Sequence, residues 1–322
     1  MESKGDLCEM KMKKLIAVLS MVSMVAVAAA GCGNGSDEQA ADTTETKAEA
    51  NTEDTKEAGD WDSSSDITIV SREDGSGTRG AFIELFGIQE EMDGEKVDMT
   101  TEEAQITNST SVMMTTVAGD EYAIGYISLG SLDESVKALK IDGAEATAEN
   151  VKSGDYKVSR PFNIATKKDL DNEVAKDFIN YIMSAEGQKV VEDNGYIAVE
   201  GAEAFEGTQP SGKAVVGGSS SVSPVMEKLA EAYKEVNPNA EIELQTTDST
   251  TGMTSAIDGS YDIGMASREL KEEEIAELDA KVIATDGIAV IVNNNNAMDE
   301  LSSDQVKAIY TGEALTWDEV VE

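Results

Sequence analysis

The run from Ile67 to Phe86 constrains this chain more than any other stretch. Ile67-Thr68-Ile69-Val70 is apolar and strand-like, and Gly80-Ala81-Phe82-Ile83-Glu84-Leu85-Phe86 has helical spacing. Between them lies Ser71-Arg72-Glu73-Asp74-Gly75-Ser76-Gly77-Thr78-Arg79. A Gly- and hydroxyl-rich turn between strand and helix aims several backbone N–H groups at one spot, and the helix dipole makes that spot favourable for an anion. Arg72 can add a planar, permanently charged fork. Asp74 is a carboxylate where an anion should sit. It would repel a fully deprotonated anion and accept a hydrogen bond from one that keeps a proton, which favours phosphate over sulfate. The same residues are also ordinary turn formers, and Arg72 or Arg79 can pair with Asp74 at the surface, so the turn alone leaves both readings open.

Beyond it, strand-like and helix-like runs alternate, which predicts an α/β fold. Tyr122–Ile127 and Arg160–Thr166 read as strands, and Val174, Phe178, Ile179, Ile182 and Ala185 share a helical face. Residues 200–213 read as a linker. Ala214-Val215-Val216 leads to Gly217-Gly218-Ser219-Ser220-Ser221, and then to a helix with Pro224 in its first turn and Val225, Leu229, Ala232 and Val236 on one face. Ile242–Gln245 leads to Thr246-Thr247-Asp248-Ser249-Thr250-Thr251-Gly252, and Tyr261–Ala266 ends in Ser267-Arg268. Val282–Ala284 and Ile288–Val292 read as two further strands, and Gln305, Val306, Ile309 and Tyr310 as a last helix. Any one hydroxyl cluster reads as a cap or turn. Four strand ends carrying Ser/Thr/Gly clusters, two of them with Arg, point to an anion cage, because open α/β sheets bind ligands beyond the carboxyl ends of their strands.

Composition narrows the chemistry. The 322 residues suffice for two ordinary domains, and with 40% hydrophobic but only 5% aromatic residues the core must be mostly aliphatic. A net charge of −39 makes nucleic acid a poor partner and requires local donors to hold any anion against the global field. Histidine is absent, which removes Ser-His-Asp and Cys-His nucleophile systems and His-ligated zinc. No metal or cofactor is expected.

The N-terminus reads as a leader. Lys11, Lys13 and Lys14 precede an apolar run, Leu15 to Ala30, of about 16 residues, short of the ~20 that span a membrane. It ends in Ala29-Ala30-Gly31-Cys32, which is similar to the lipobox of bacterial lipoproteins and implies cleavage before Cys32 and lipidation of its sulfur; the alternative is an ordinary small-residue cleavage site with a spare thiol. The acidic stretch before Lys11 is unusual, so translation can start at Met10 or Met12. Residues 32–64, rich in Ala, Thr, Glu and Asp, are expected to form a disordered tether.

From Ile67 onward the chain resembles the phosphate-binding lipoproteins of bacterial ABC phosphate importers. The match runs through ITIVSREDGSGTRGAF, AIGYISLGSL, KSGDYKVSRPFNIAT, SAEGQKVVEDNGYIAV, VVGGSSSVSPVMEKLAEAY, YDIGMASREL and ATDGIAVIVN. The resemblance implies a two-lobe periplasmic-binding-protein type 2 fold: mixed sheets flanked by helices, with a ligand cleft between lobes. The two halves are exchanged relative to the family's usual order, as in a circular permutation, unless the sequence is a shifted reading of a longer tandem gene. On this basis residues 1–31 are the signal peptide, 65–150 plus 293–322 a split lobe, and 151–292 a continuous lobe.

The resemblance also carries a ligand set: Arg72, Asp74, Ser76, Gly77 and Thr78 from the split lobe, and Ser220, Ser221 and Ser249 from the continuous one. Some family members have Asp where this chain has Ser267, which puts a second acceptor in doubt and makes Arg268 a candidate donor; its alternative is pairing with Glu269 or Glu272. The implied protein is a monomeric, lipid-anchored, extracytoplasmic binder of inorganic phosphate that serves the transmembrane subunits of an ABC importer and is not an enzyme. The rival readings are a sulfate or molybdate binder, an enzyme acting on phosphate esters, and a sensor or adhesin on the same fold.

Overall fold

A computed structural model describes residues 61–92 and 94–321. The leader, Cys32 and the tether as far as residue 60 lie outside these residues. The α/β expectation holds. The main strands are β1 (Thr68–Arg72), β2 (Gln105–Thr107), β3 (Ala123–Ser128), β4 (Ser159–Lys167), β5 (Gly212–Ser219), β6 (Ala240–Thr247), β7 (Ile263–Ala266) and β8 (Leu278–Val292). They form one mixed sheet in the order β6-β5-β7-β4-β8-β3-β1-β2. β1 lies parallel to β2 and β3, and β5 lies parallel to β6 and β7. β4 and β8 are antiparallel partners in the middle and join the two parallel groups.

The apolar core follows this division. Of the apolar clusters, the two largest divide so: one gathers Ile69, Phe82, Tyr126, Val158, Ile288, Tyr310 and Trp317, and the second gathers Phe162, Ile164, Phe178, Val216, Leu229, Ile263 and Ile283. The change from one core to the other falls inside β4 and β8. Val151, Tyr156, Val158, Ile288, Val290 and Val292 therefore pack with the first core, although they lie within the 151–292 range expected for the other lobe. Packing onto this core also includes residues before 65. The Trp61 ring lies 6.2 Å from Tyr122 and 5.9 Å from Trp317, and Asp318 N–H donates to Ser63 at 2.7 Å.

The helices used below are α1 (Gly77–Leu85), α2 (Thr110–Ala118), α3 (Glu173–Ile182), α4 (Ala185–Asp193), α5 (Ser223–Val236), α6 (Ser249–Asp258) and α7 (Ser303–Thr311), of which α1, α2, α5 and α6 position the site. Three local readings change. Ala185 does not extend the helix of Val174: α3 stops, and Ser184 caps α4 by accepting from Gly187 N–H at 3.2 Å. The close crossing needs Gly187, where a Cβ would lie 2.0 Å from Tyr181 O. α5 buries Val225, Met226, Leu229 and Tyr233, whose hydroxyl donates to Asp177, and leaves Val236 exposed at its last residue. The runs around Ile283 and Val290 are one strand, with a register irregularity between Val282 and Ala284.

Phe82 is fully buried, stacked 3.9 Å from Tyr126 and edge-on to Tyr310. Phe82→Ala is expected to lower the unfolding free energy in urea by about 3–5 kcal/mol; a loss below about 1 kcal/mol would show that this core relaxes around the cavity.

Candidate functional site: a hydroxyl cage between the lobes

Five strand ends meet where the two cores face each other. β1 runs into α1 through the Glu73–Ser76 turn, with Ser76 Oγ capping the helix by accepting from Arg79 N–H at 3.3 Å. β2 leads to α2, capped by Ser109, and β6 leads to α6, capped by Asp248. β5 ends at Ser219, and Ser220-Ser221-Val222 turn the chain into α5; β7 ends just before Ser267. The first N–H groups of each helix have no intrahelical partner, so four positive helix ends point into one volume.

The side chains there bond across the gap. Thr78 Oγ1 lies 2.7 Å from Ser221 Oγ and 3.2 Å from Ser267 Oγ. Thr110 Oγ1 lies 3.5 Å from Ser220 Oγ and 3.4 Å from Ser221 Oγ. Ser219 Oγ donates to Ser267 Oγ at 3.0 Å, and Ser267 N–H donates to Ser249 Oγ at 3.1 Å. Thr250 donates to Gly75 O through both its N–H and its hydroxyl, each at 3.2 Å. Gly77 has no room for a side chain, since a Cβ would stand 2.3 Å from Ser249 Oγ and 2.9 Å from Ser267 Oγ.

Two buried guanidinium groups flank these hydroxyls. Arg72 Nη2 donates to Ser220 Oγ at 3.0 Å, while Glu73 holds Nε and Nη2 with two 2.8 Å bonds. The Arg72 backbone is fixed as well: its N–H donates to Tyr126 Oη at 3.2 Å, and its carbonyl accepts from Arg79 Nη1 at 2.7 Å. Burial pushes the Tyr126 phenol up to about 12, so it stays neutral beside the site. Arg160, on β4, donates from Nη2 to Thr78 Oγ1 at 3.3 Å and is ion-paired to Asp286 on β8. Burial raises the Asp286 carboxyl and lowers the Arg160 guanidinium; each opposes the shift of the other, and the guanidinium keeps its charge.

The structure thus gathers Arg72, Ser76, Gly77, Thr78, Ser220, Ser221, Ser249 and Ser267. It does not gather Asp74 or Arg268. The Asp74 side chain is 99% exposed and pairs with Arg79 at 2.9 Å, because the turn needs its N–H groups inward and so faces this side chain out. Arg268 makes a two-point pair with Glu274, both contacts at 2.7 Å, and lies beside the cage rather than in it; its partner is Glu274 and not the expected Glu269 or Glu272 carboxylates. Sequence reasoning missed Thr110, Arg160, Ser219 as a cage member, and Asp286. Thr107-Asn108-Ser109-Thr110-Ser111 is a fifth hydroxyl cluster, hidden because β2 has only three residues and exposes Ile106. Arg160 reads as the start of a strand, and Asp286-Gly287 as a turn between two.

A closed cage at the strand ends of two parallel groups joined by two crossing strands defines a two-lobe binding protein. A family model described as the PBP superfamily domain matches residues 6–186 and 203–321. The chain belongs to that superfamily and, within it, to the family of phosphate-binding proteins PstS. It is 52% identical to the phosphate-binding protein PstS 2 of Streptococcus agalactiae over 314 residues, covering 97% of this chain and 99% of that one. A crystal structure of a phosphate ABC transporter phosphate-binding protein from Streptococcus pneumoniae is similar with a TM-score of 0.64 and 45% identity, covering 80% of this chain and 100% of that chain. The phosphate-binding protein PstS of Staphylococcus haemolyticus is 42% identical, but over 117 residues, 34% of this chain and 37% of that one.

Gly77→Ala forces a methyl into the Ser249 contact and is expected to weaken anion binding by about 1–3 kcal/mol, read by titration calorimetry. Gly80→Ala, whose Cβ meets nothing closer than Arg268 Cδ at 3.9 Å, should leave affinity unchanged. Equal affinities for the two variants would contradict the tight approach at Gly77.

Proposed function

We propose that this protein captures inorganic phosphate in the interlobe cage and delivers it to the transmembrane subunits of an ABC importer. One observation carries the reading: Arg72, Thr78 and the start of α1 on one side meet Ser220, Ser221, Ser249 and Ser267 on the other around a single volume. The chain also runs collinearly with a phosphate-binding relative over nearly its whole length. Hydroxyls and helix N–H groups replace the anion's water shell, and hydrogen bonds to a charged partner contribute about 1.5–3 kcal/mol each. Several of them, less the cost of desolvation and lobe closure, reach micromolar binding at about −8 kcal/mol. Closure is a hinge movement about β4 and β8.

With Asp74 at the surface, the acceptor for the proton that phosphate retains is a cage hydroxyl, each of which keeps a second lone pair. A sulfate or molybdate binder would not need that acceptor. An enzyme acting on phosphate esters would need a nucleophile or metal beside the anion, and the absence of histidine removes the commonest sets. Turnover of a phosphomonoester with added magnesium separates that reading from a binder.

The remaining features fit an extracytoplasmic carrier. Residues 1–31 act as a signal peptide, Cys32 carries a lipid that anchors the monomer to the outer face of the membrane, and residues 32–60 tether it. Loss of fatty-acid labelling in Cys32→Ser tests this, and labelling that persists would contradict it. The short staphylococcal match beside the end-to-end streptococcal one supports the exchanged order of halves, with lobes of about 61–158 plus 288–321 and about 160–286.

Titration calorimetry of the purified protein should give one phosphate per chain at micromolar affinity or tighter, with sulfate weaker. Arg72→Gln should cost about 1.5–3 kcal/mol. Asp74→Asn should change the phosphate-to-sulfate ratio by less than about 1 kcal/mol, as for an exposed ion pair. A wild-type protein that binds no phosphate would refute the function, and a ratio that collapses in Asp74→Asn would place Asp74 at the ligand.

A further inference from the structure

We propose that Arg160 is a second guanidinium of the anion site, that it sets the site's preference for the more highly charged form of the ligand, and that Asp286 is its positioning residue. The proposal rests on the phosphate reading above. Arg160 and Asp286 face each other in the antiparallel ladder of β4 and β8, the two strands that join the lobes. Asp286 is fully engaged. Its Oδ2 accepts from Ser128 Oγ at 2.7 Å and from Arg160 Nη1, and its Oδ1 accepts from Gly130 N–H at 3.1 Å. Arg160 Nη1 also donates to Gly287 O at 2.7 Å. One edge of the guanidinium is therefore anchored to β8, with the Phe162 ring 4.9 Å from its central carbon. Nη2 extends the other way, to Thr78. Nε is buried with no partner among the described residues, so the group retains donor capacity that the protein does not use.

Hydrogen-bond direction gives Arg160 its effect. A hydroxyl has one proton. Thr78 Oγ1 accepts from Arg160, so its own proton is directed to Ser221, Ser267 or the ligand. Arg72 treats Ser220 the same way, and Ser267 N–H treats Ser249 so. In each case an N–H group occupies a hydroxyl lone pair and leaves the proton free to turn toward the ligand. The cage consequently offers many donors and few acceptors. The two nearby carboxylates are turned to the guanidinium groups: both Glu73 oxygens accept from Arg72, and Asp286 accepts from Arg160, Ser128 and Gly130. Such a cage suits dianionic phosphate, which brings one proton, better than the monoanion, which brings two.

The test uses Arg160→Met combined with Asp286→Leu, because replacing a whole buried ion pair by apolar groups is tolerated where removing one partner is not. Phosphate binding is measured by calorimetry at one pH below and one above phosphate's second ionisation, with thermal unfolding as the check on folding. Wild type should bind more tightly at the higher pH. The double variant should lose about 10–150-fold there, the loss of one charge-assisted hydrogen bond, and clearly less at the lower pH, which flattens the profile. Arg160→Lys, which keeps a charge for Asp286 but not the planar fork, should show the same flattening and serves if the double variant does not fold. A folded variant with the wild-type profile, or with an equal loss at both pH values, would overturn the proposal and reduce the pair to packing. A wild-type protein that binds no phosphate would instead refute the function itself.

Discussion

The site depends on one close approach, that of Gly77 to Ser249. A Cβ at residue 77 would stand 2.3 Å from the Ser249 hydroxyl, so the two helix starts can meet only because that side chain is missing. From this contact the rest follows. Thr78, one residue on, reaches Ser221 and Ser267. The Gly75 carbonyl takes two hydrogen bonds from Thr250. The N-terminus of α1 then faces that of α6 across a gap lined by groups whose protons can turn inward.

That local arrangement explains how a chain of net charge −39 can hold an anion. Helix ends, hydroxyls and two buried guanidinium groups act over a few ångströms with little water between, whereas the surface carboxylates act through solvent and salt. Each guanidinium has its own carboxylate, Glu73 for Arg72 and Asp286 for Arg160. The paired groups hold the site together without leaving unpaired charge buried, and their remaining N–H groups orient the hydroxyls.

Much of this was legible in the sequence. The strand–turn–helix of residues 67–86 and the hydroxyl clusters after β5, β6 and β7 are local patterns, and each lies where the chain placed it. Other features are set by tertiary contacts that no local pattern encodes. Asp74 sits in the same turn as Thr78 but points the other way, and only the fold reveals which side of the turn is inside. Thr110 follows a strand too short to leave an apolar run. Arg160 and Asp286 lie 126 residues apart, and register alone makes them partners. The break between α3 and α4 is a capping event at Ser184 that helical periodicity overruns.

The central claim is that helix starts from both lobes converge on one phosphate. Hydrogen exchange of the purified protein with and without inorganic phosphate tests it most directly. Slowed exchange is expected on phosphate addition in the peptides that carry Gly77 and Thr78, Ser220 and Ser221, and Ser249 and Thr250 together, with smaller changes at the far ends of α1 and α6. Protection confined to one lobe, or appearing elsewhere while these three peptides exchange unchanged, would contradict it.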